Sequence, residues 1–307
     1  MKNTLNYYYN LRIDKLIKNS NNYYFYINDS EYHLIKWERP MEDANLIFKL
    51  NVKLLSRGVM VHQMILNKDK QVITLINNEA YILLKILKYK SDMVSLNDID
   101  YIWKHTYNID YDKSLYRDNW VKLWCDKMDY YEYQINQLGK EYPILCNSLS
   151  YYIGLGENAI SYLVNNLKND NKMVVVAHKR IKIDNGSFEF YNPMNFIIDN
   201  RMRDLSEYIK NSFFNNKFNY DEIESFLDHN NINDDEYICL FSRLLFPTYY
   251  FDAYDDIINK KDNEEKILPI LDRVNDYEVF LFNIYNYIVY KKKVHLEPLE
   301  WLFKNYS

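Results

Sequence analysis

The chain has 307 residues, 48% of them apolar or aromatic and 26% charged, with a formal net charge of −5. That is enough for one large domain or two modest lobes around a sizeable core. Acids and bases are mixed along the chain, so there is no basic stripe for nucleic acid, and no apolar run reaches membrane-helix length.

The opening "MKNTLNYYYNLRIDK" lacks the apolar stretch of a secretory leader, so a soluble cytoplasmic protein is expected. Cys125, Cys146 and Cys239 show neither zinc nor disulfide spacing, and the six histidines form no metal pair. The 32 tyrosines have two readings. One is A/T-rich codon usage with ordinary half-buried packing; the other is an adhesive or cross-linkable surface.

"NYYFYIN" (22–28) and "YHLIKWE" (32–38) read as strands flanking an Asn28-Asp29-Ser30 turn. Leu46, Ile47, Leu50, Leu54 and Leu55 step at helical spacing, with Gly58 as a C-terminal cap. "VHQMIL", "VITLI" and "AYILLKIL" are three further strands. A hinge is expected near Lys88 to Met93, dividing a small mixed lobe (1–88) from a larger helical lobe (89–307).

In the second part, Ser95 and Asp98 form a capping box ahead of Ile99, Ile102 and Trp103. Trp120 to Leu138 is a second helix, ended by Gly139, and Pro143 starts a third that tolerates Gly154 and Gly156 through close packing. "MVVVAHKRIKIDNGSFEFYNPMNFIIDN" (173–200) reads as two short strands around a turn, with Asp184-Asn185-Gly186 as a hairpin signal. Met202 to Phe214 is helical, Asn219 and Asn233 begin two more helices, and Pro247 interrupts a strongly apolar stretch. The last amphipathic segment, "YEVFLFNIYNYIVYKK", is helical too. The fold class is therefore α+β.

The lobe order resembles the aminoglycoside and choline kinase superfamily, a two-lobed protein kinase-like fold. "YYFYINDSEYHLIKWERP", "DYYEYQINQLGKEYPILCNSLSYYIGLGENAISYL", "DNRMRDLSEYI" and "EPLEWL", taken in order, resemble the spore-coat kinase-like proteins of endospore formers. That resemblance covers most of the chain. It implies a link to sporulation, residence in the mother-cell cytoplasm or spore coat, and coat or other sporulation proteins as partners.

A phosphotransferase of this kind needs a phosphate-orienting Lys, a catalytic Asp, and an Asn and Asp for Mg²⁺. Lys36 is the Lys by position, or else a strand-edge Lys kept for solubility. The helix after it offers no acid inside, only Glu42 and Asp43 at its start. His178 matches the family's loop-bracing His, but Arg180 stands where the catalytic Asp belongs, and an Arg cannot act as a base. Asn185 stands where the metal-binding Asn would be, or simply serves the turn. Asn195-Phe196 occupies the place of Asp-Phe, and Asn is a weak, neutral substitute for a metal carboxylate. Asp199 resembles the family's second, downstream Asp more than the metal ligand, and Asp204 is expected to cap or brace the loop.

No glycine-rich phosphate loop is present, and "GLGEN" lacks the strand and third glycine of a nucleotide fingerprint. The expectation is a catalytically degenerate, pseudokinase-like protein with a binding or structural role in the spore coat. The alternative is an atypical phosphotransferase acting on a small molecule or sugar. It would use ATP, Mg²⁺ and Lys36, with Asp184 or Asp199 supplying the missing carboxylate.

Overall fold

The computed structural model describes residues 1–19, 22–88, 91–117, 119–138, 140–167 and 173–306, the side chain of Asn185 excepted. In chain order it contains α1 (Lys2–Tyr9), β1 (Ile17–Asn19), β2 (Asn22–Ile27), β3 (Ser30–Lys36), α2 (Asp43–Ser56), β4 (Gln63–Ile65), β5 (Thr74–Ile76), β6 (Glu79–Lys85) and α3 (Leu96–Thr106). There follow α4 (Trp120–Leu138), α5 (Pro143–Asn166), β7 (Val174–His178), α6 (Gly186–Phe190), β8 (Phe196–Asn200), α7 (Met202–Phe214), α8 (Tyr220–His229), α9 (Asp234–Leu245), α10 (Thr248–Ile258), α11 (Leu268–Leu271), α12 (Val274–Asn286) and α13 (Glu300–Tyr306). Gly139 and the middle of the expected hinge, Tyr89 and Lys90, lie outside the described residues.

Two compact units result, one of Met1–Tyr116 with Val175–Ile198, the other of Arg117–Val174 with Asp199–Ser307. The division at 88/89 suggested by the sequence falls inside the first unit. Its reason is physical: α3 and the 175–198 segment bond to the first unit's own residues. The Tyr191 hydroxyl donates to Asp98 Oδ1 at 2.7 Å, and the amides of His62 and Ser187 donate to Tyr191 O and Ser91 O at 2.9 Å each.

The first unit is built on an antiparallel sheet ordered β1-β2-β3-β6-β4, with β5 also pairing β6. The β2–β3 turn places Asn28 and Asp29 at positive φ, which these short polar side chains tolerate. In register, Leu34 opposes Leu83 and Lys36 opposes Tyr81. Side chains alternate along a strand, so Leu34, Lys36, Tyr81 and Leu83 share one face. That face is covered by α1 and the chain after it: Leu5, Tyr9 and Ile13 are buried on Phe25, Leu34, Tyr81 and Leu83. Each such Leu contributes about 2 kcal/mol by leaving water. On β3, His33 alternates with Leu34 and points the other way, toward Phe188 of α6, their ring centroids 4.9 Å apart.

The 14 residues of α2 bury Ile47, Leu50 and Leu54. Asn51 ties α2 to the chain entering β4, its amide donating to His62 O at 2.7 Å and its carbonyl accepting from the Met64 amide at 2.9 Å. After α2, Gly58 adopts φ 74°, as the cap reading requires.

The second unit is helical, with α5 packed on α4 and α9, and α7 on α9. Its aromatic side chains are largely interior: Tyr152 stacks on Tyr250 at 3.7 Å, Phe214 on Tyr249 at 4.0 Å, and Tyr131 on Phe251 at 4.4 Å. The capping box read at Ser95/Asp98 is present, and the helix start read at Asn233 is a capping box with Glu236.

The 173–200 segment departs from expectation. The first strand, β7, is present, but Asp184-Asn185-Gly186 makes no hairpin. A 3₁₀ turn over Ile183–Asn185 leads instead into α6, with Gly186 at φ 63°. The backbone of Ser91 explains this: a Cβ on Gly186 would lie 2.5 Å from Ser91 O, and the Ser187 amide is anchored to that oxygen. A second 3₁₀ turn, Pro193–Asn195, precedes β8, which pairs with β7. Asn195 therefore stands just before the second strand, and Asp199 lies within that strand.

Candidate functional site

Of the expected site residues, the first unit holds Lys36, His178, Arg180, Asn185 and Asn195, and the second holds Asp199 and Asp204. Lys36 is on the α1 side of the sheet. Its ammonium donates to Glu79 Oε1 at 2.6 Å, and the Tyr81 hydroxyl donates to the other oxygen at 2.7 Å. Those contacts hold the Glu79 carboxyl below its ordinary range, the Lys36 bond contributing most. The acid that meets Lys36 thus comes from β6 and not from α2.

The start of α2 receives a different cation. Arg39, 6% exposed, meets Asp43 Oδ2 through Nη2 at 2.9 Å and Nε at 3.0 Å. Its Nη1 donates to Phe196 O at 2.8 Å and Met194 O at 3.2 Å, the carbonyls on either side of Asn195. Sequence reasoning passed over Arg39; the one signal was its i,i+4 spacing to Asp43.

His178, 2% exposed, ends β7. Its Nε2 lies 2.7 Å from Phe190 O, and its ring stacks on Phe190 at 4.3 Å, which fixes α6 against the strand. His178, Arg180, Lys182, Glu189 and Asn195 line one pocket of about 120 Å³. The Asn195 amide donates to Glu189 Oε2 at 2.7 Å and to Glu189 O at 3.0 Å. The pocket therefore presents two cations and one carboxylate that is already hydrogen-bonded. The side chain of Asn185 lies outside the described residues.

A larger cavity of about 450 Å³ in the same unit is walled by His33, His62 and Phe188, with Glu31, Asp92 and Asp184 also lining it. His62 Nδ1 accepts from the Leu87 amide at 3.1 Å, so its Nε2 carries the proton and donates to Phe188 O at 3.0 Å. Burial pushes this imidazole down to about 4, keeping it neutral.

In the second unit, Asp199 is fully buried. The Trp120 indole N–H lies 3.0 and 3.1 Å from its two oxygens, Arg203 Nη1 donates to Oδ2 at 2.8 Å, and the Asn200 amide donates to Oδ1 at 2.7 Å. Burial raises its pKa, while Arg203, Arg243 and the indole act against that. Asp204, 3% exposed, sits in the first turn of α7, where an acid suits the helix dipole.

Beside Asp199 runs a buried ionic chain. Arg243 lies over Trp120 at 4.6 Å and donates to Glu207 Oε1 at 2.6 Å; Lys210 meets the same oxygen at 3.0 Å, and the Thr248 hydroxyl donates to Oε2 at 2.7 Å.

Mg²⁺, which kinase-like folds use, does not fit the donors at Asp199. Both oxygens already accept protein hydrogen bonds, one from a guanidinium. The nearby unsatisfied polar atom, Asn200 Nδ2, is itself a donor and cannot ligate a cation. No cluster of three His, Cys, Asp or Glu that could hold a metal occurs among the described residues. Nor is any described helix long and apolar enough to cross a membrane.

The antiparallel sheet unit and the larger helical unit define a kinase-like fold. A solved aminoglycoside phosphotransferase from Alicyclobacillus acidocaldarius superposes with a TM-score of 0.57 at 11% identity, covering 90% of this chain and 93% of that one. A spectinomycin phosphotransferase solved with ADP and spectinomycin gives 0.61 at 14% identity, over 92% and 97% of the two chains. At sequence level, residues 2–284 match the family described as "Spore coat putative kinase YutH", and the chain belongs to that family. It is 26% identical over 211 residues to the endospore coat-associated protein YutH of Bacillus subtilis (strain 168), the match spanning 61% of this chain and 62% of that relative's length.

Proposed function

We propose that this chain is a kinase-fold component of the spore coat, or of its assembly in the mother cell, that binds other coat or sporulation proteins and transfers no phosphate. The observation that carries this reading is Arg180. It lines the pocket beside His178 with Lys182, where proton abstraction from a substrate hydroxyl would require a carboxylate or other base. Arg remains protonated at any working pH. The relative's coat association supports the location, and the fold supports descent from phosphoryl-transfer enzymes. In this reading Asp199, within the strand paired to β7, stands at the position of the metal carboxylate in place of Asn195, which precedes that strand. There it is tied up by Trp120 and Arg203. The experiment is phosphotransfer or ATP hydrolysis by the purified chain with Mg-ATP. Background rates are expected, and turnover well above background overturns the reading.

A second reading, an atypical phosphotransferase acting on a small molecule or sugar, is favoured by the exposed Asp184 that lines the larger cavity, with ATP and Mg²⁺ as its cofactors. Nucleotide at one hundred times its dissociation constant adds about 2.7 kcal/mol of stability. A thermal melt unmoved by millimolar Mg-ATP removes that reading.

A further inference from the structure

We infer that Arg203 is the built-in counter-cation of Asp199 and holds the place a divalent ion would take beside that carboxylate. The carboxylate is fully buried, and a buried anion must be paired. Its charge is met by one direct ion pair, Arg203 Nη1 to Oδ2 at 2.8 Å, one turn along the chain. The remaining contacts, the Trp120 indole and the Asn200 amide, are neutral donors. Arg243, the other guanidinium near Asp199, spends its own charge on Glu207 at 2.6 Å.

Removing the Arg203 head would therefore leave a buried carboxylate with two uncharged donors and the space of a guanidinium. A hard cation with its waters suits such a space. The site is thus a cation site closed from within, with Arg203 as a positioning residue and no catalytic role. The inference uses the reading above only in taking Asp199 as the carboxylate at a metal position.

The test is thermal melting of the full chain in EDTA and in excess MnCl₂, together with Mn²⁺ binding followed by electron paramagnetic resonance. Wild type is expected to melt at the same temperature in both and to bind no Mn²⁺. Arg203→Met is expected to melt about 5–10 °C lower in EDTA, to recover part of that in Mn²⁺, and to bind the ion. Asp199→Asn combined with Arg203→Met should melt above Arg203→Met alone in EDTA and ignore Mn²⁺.

Arg203→Lys keeps a cation and should fold, melt near wild type and ignore Mn²⁺; if Arg203→Met fails to fold, the double variant, freed of the unpaired charge, should still fold, which keeps the test decisive. Four results would each overturn the inference: a Mn²⁺ response in wild type that Asp199→Asn abolishes, an Arg203→Met protein as stable as wild type, a folded Arg203→Met protein blind to Mn²⁺, or a Mn²⁺-responsive Arg203→Lys. Phosphotransfer by wild type would strike the functional reading instead. A wild-type Mn²⁺ response that Asp199→Asn abolishes, without phosphotransfer, would strike this inference alone.

Discussion

Arg39 shows how much a single side chain can hold. Its guanidinium joins the end of the β3 segment, the start of α2 and the turn ahead of β8 within the first unit. Replacing it with Met leaves Asp43 and two carbonyls without their donor, and breaking a buried pair costs about 3–5 kcal/mol. Urea denaturation of Arg39→Met should show a loss of that order; a change below about 1 kcal/mol would mean that the pair contributes little. His62 gives a pH signature. Its folded value is about 4 against 6.5 in the unfolded chain, so the unfolded state binds more protons between those values. Stability from this residue is complete above pH 6.5 and is lost as pH falls toward about 4, on the order of 3 kcal/mol in all. His62→Gln keeps a donor for Phe188 O and should flatten that part of the stability-versus-pH curve. An unchanged slope would show that another group sets it.

Elements were legible where local chemistry dictates them. Ser95 with Asp98 and Asn233 with Glu236 each satisfy a helix start from four consecutive residues, so the sequence alone suffices to place them. Asp184-Asn185-Gly186 carries an equally strong local signal and misleads, because the contact that decides it comes from Ser91, far away in the chain. Lys36 was legible as a strand residue. Its face was not, since α1 covers that face and the short, Asn- and Tyr-containing α1 announces itself weakly. The cage on Asp199 was invisible, as Trp120 and Asp199 are 79 residues apart. In α5, the expectation that both glycines serve close packing divides. A Cβ on Gly156 would stand 2.4 Å from Met128 Sδ, whereas one on Gly154 meets nothing within 4 Å. Gly154→Ala should therefore stabilise by about 0.5–1 kcal/mol through helix propensity. Gly156→Ala should gain less or lose stability, depending on how far Met128 yields. Equal gains in paired thermal melts would remove the packing argument.

Across the whole molecule, the tyrosines favour the plain reading. Tyr131, Tyr152, Tyr191, Tyr250 and Tyr254 are among the largest fully buried side chains, while Tyr7, Tyr26, Tyr133 and Tyr290 are more than half exposed. Buried charge follows a similar logic: Glu207 serves Arg243, Lys210 and Thr248 together. Glu207→Gln would leave two buried cations sharing a neutral partner, a loss of about 3 kcal/mol or more. A smaller effect in denaturant titrations would show that water or neighbouring carbonyls take over.

The helix at the front of the chain bears on how the protein should be handled. Leu5, Tyr9 and Ile13 are bricks in the wall of the sheet. Trimming those first turns would strip a greasy surface bare and invite clumping.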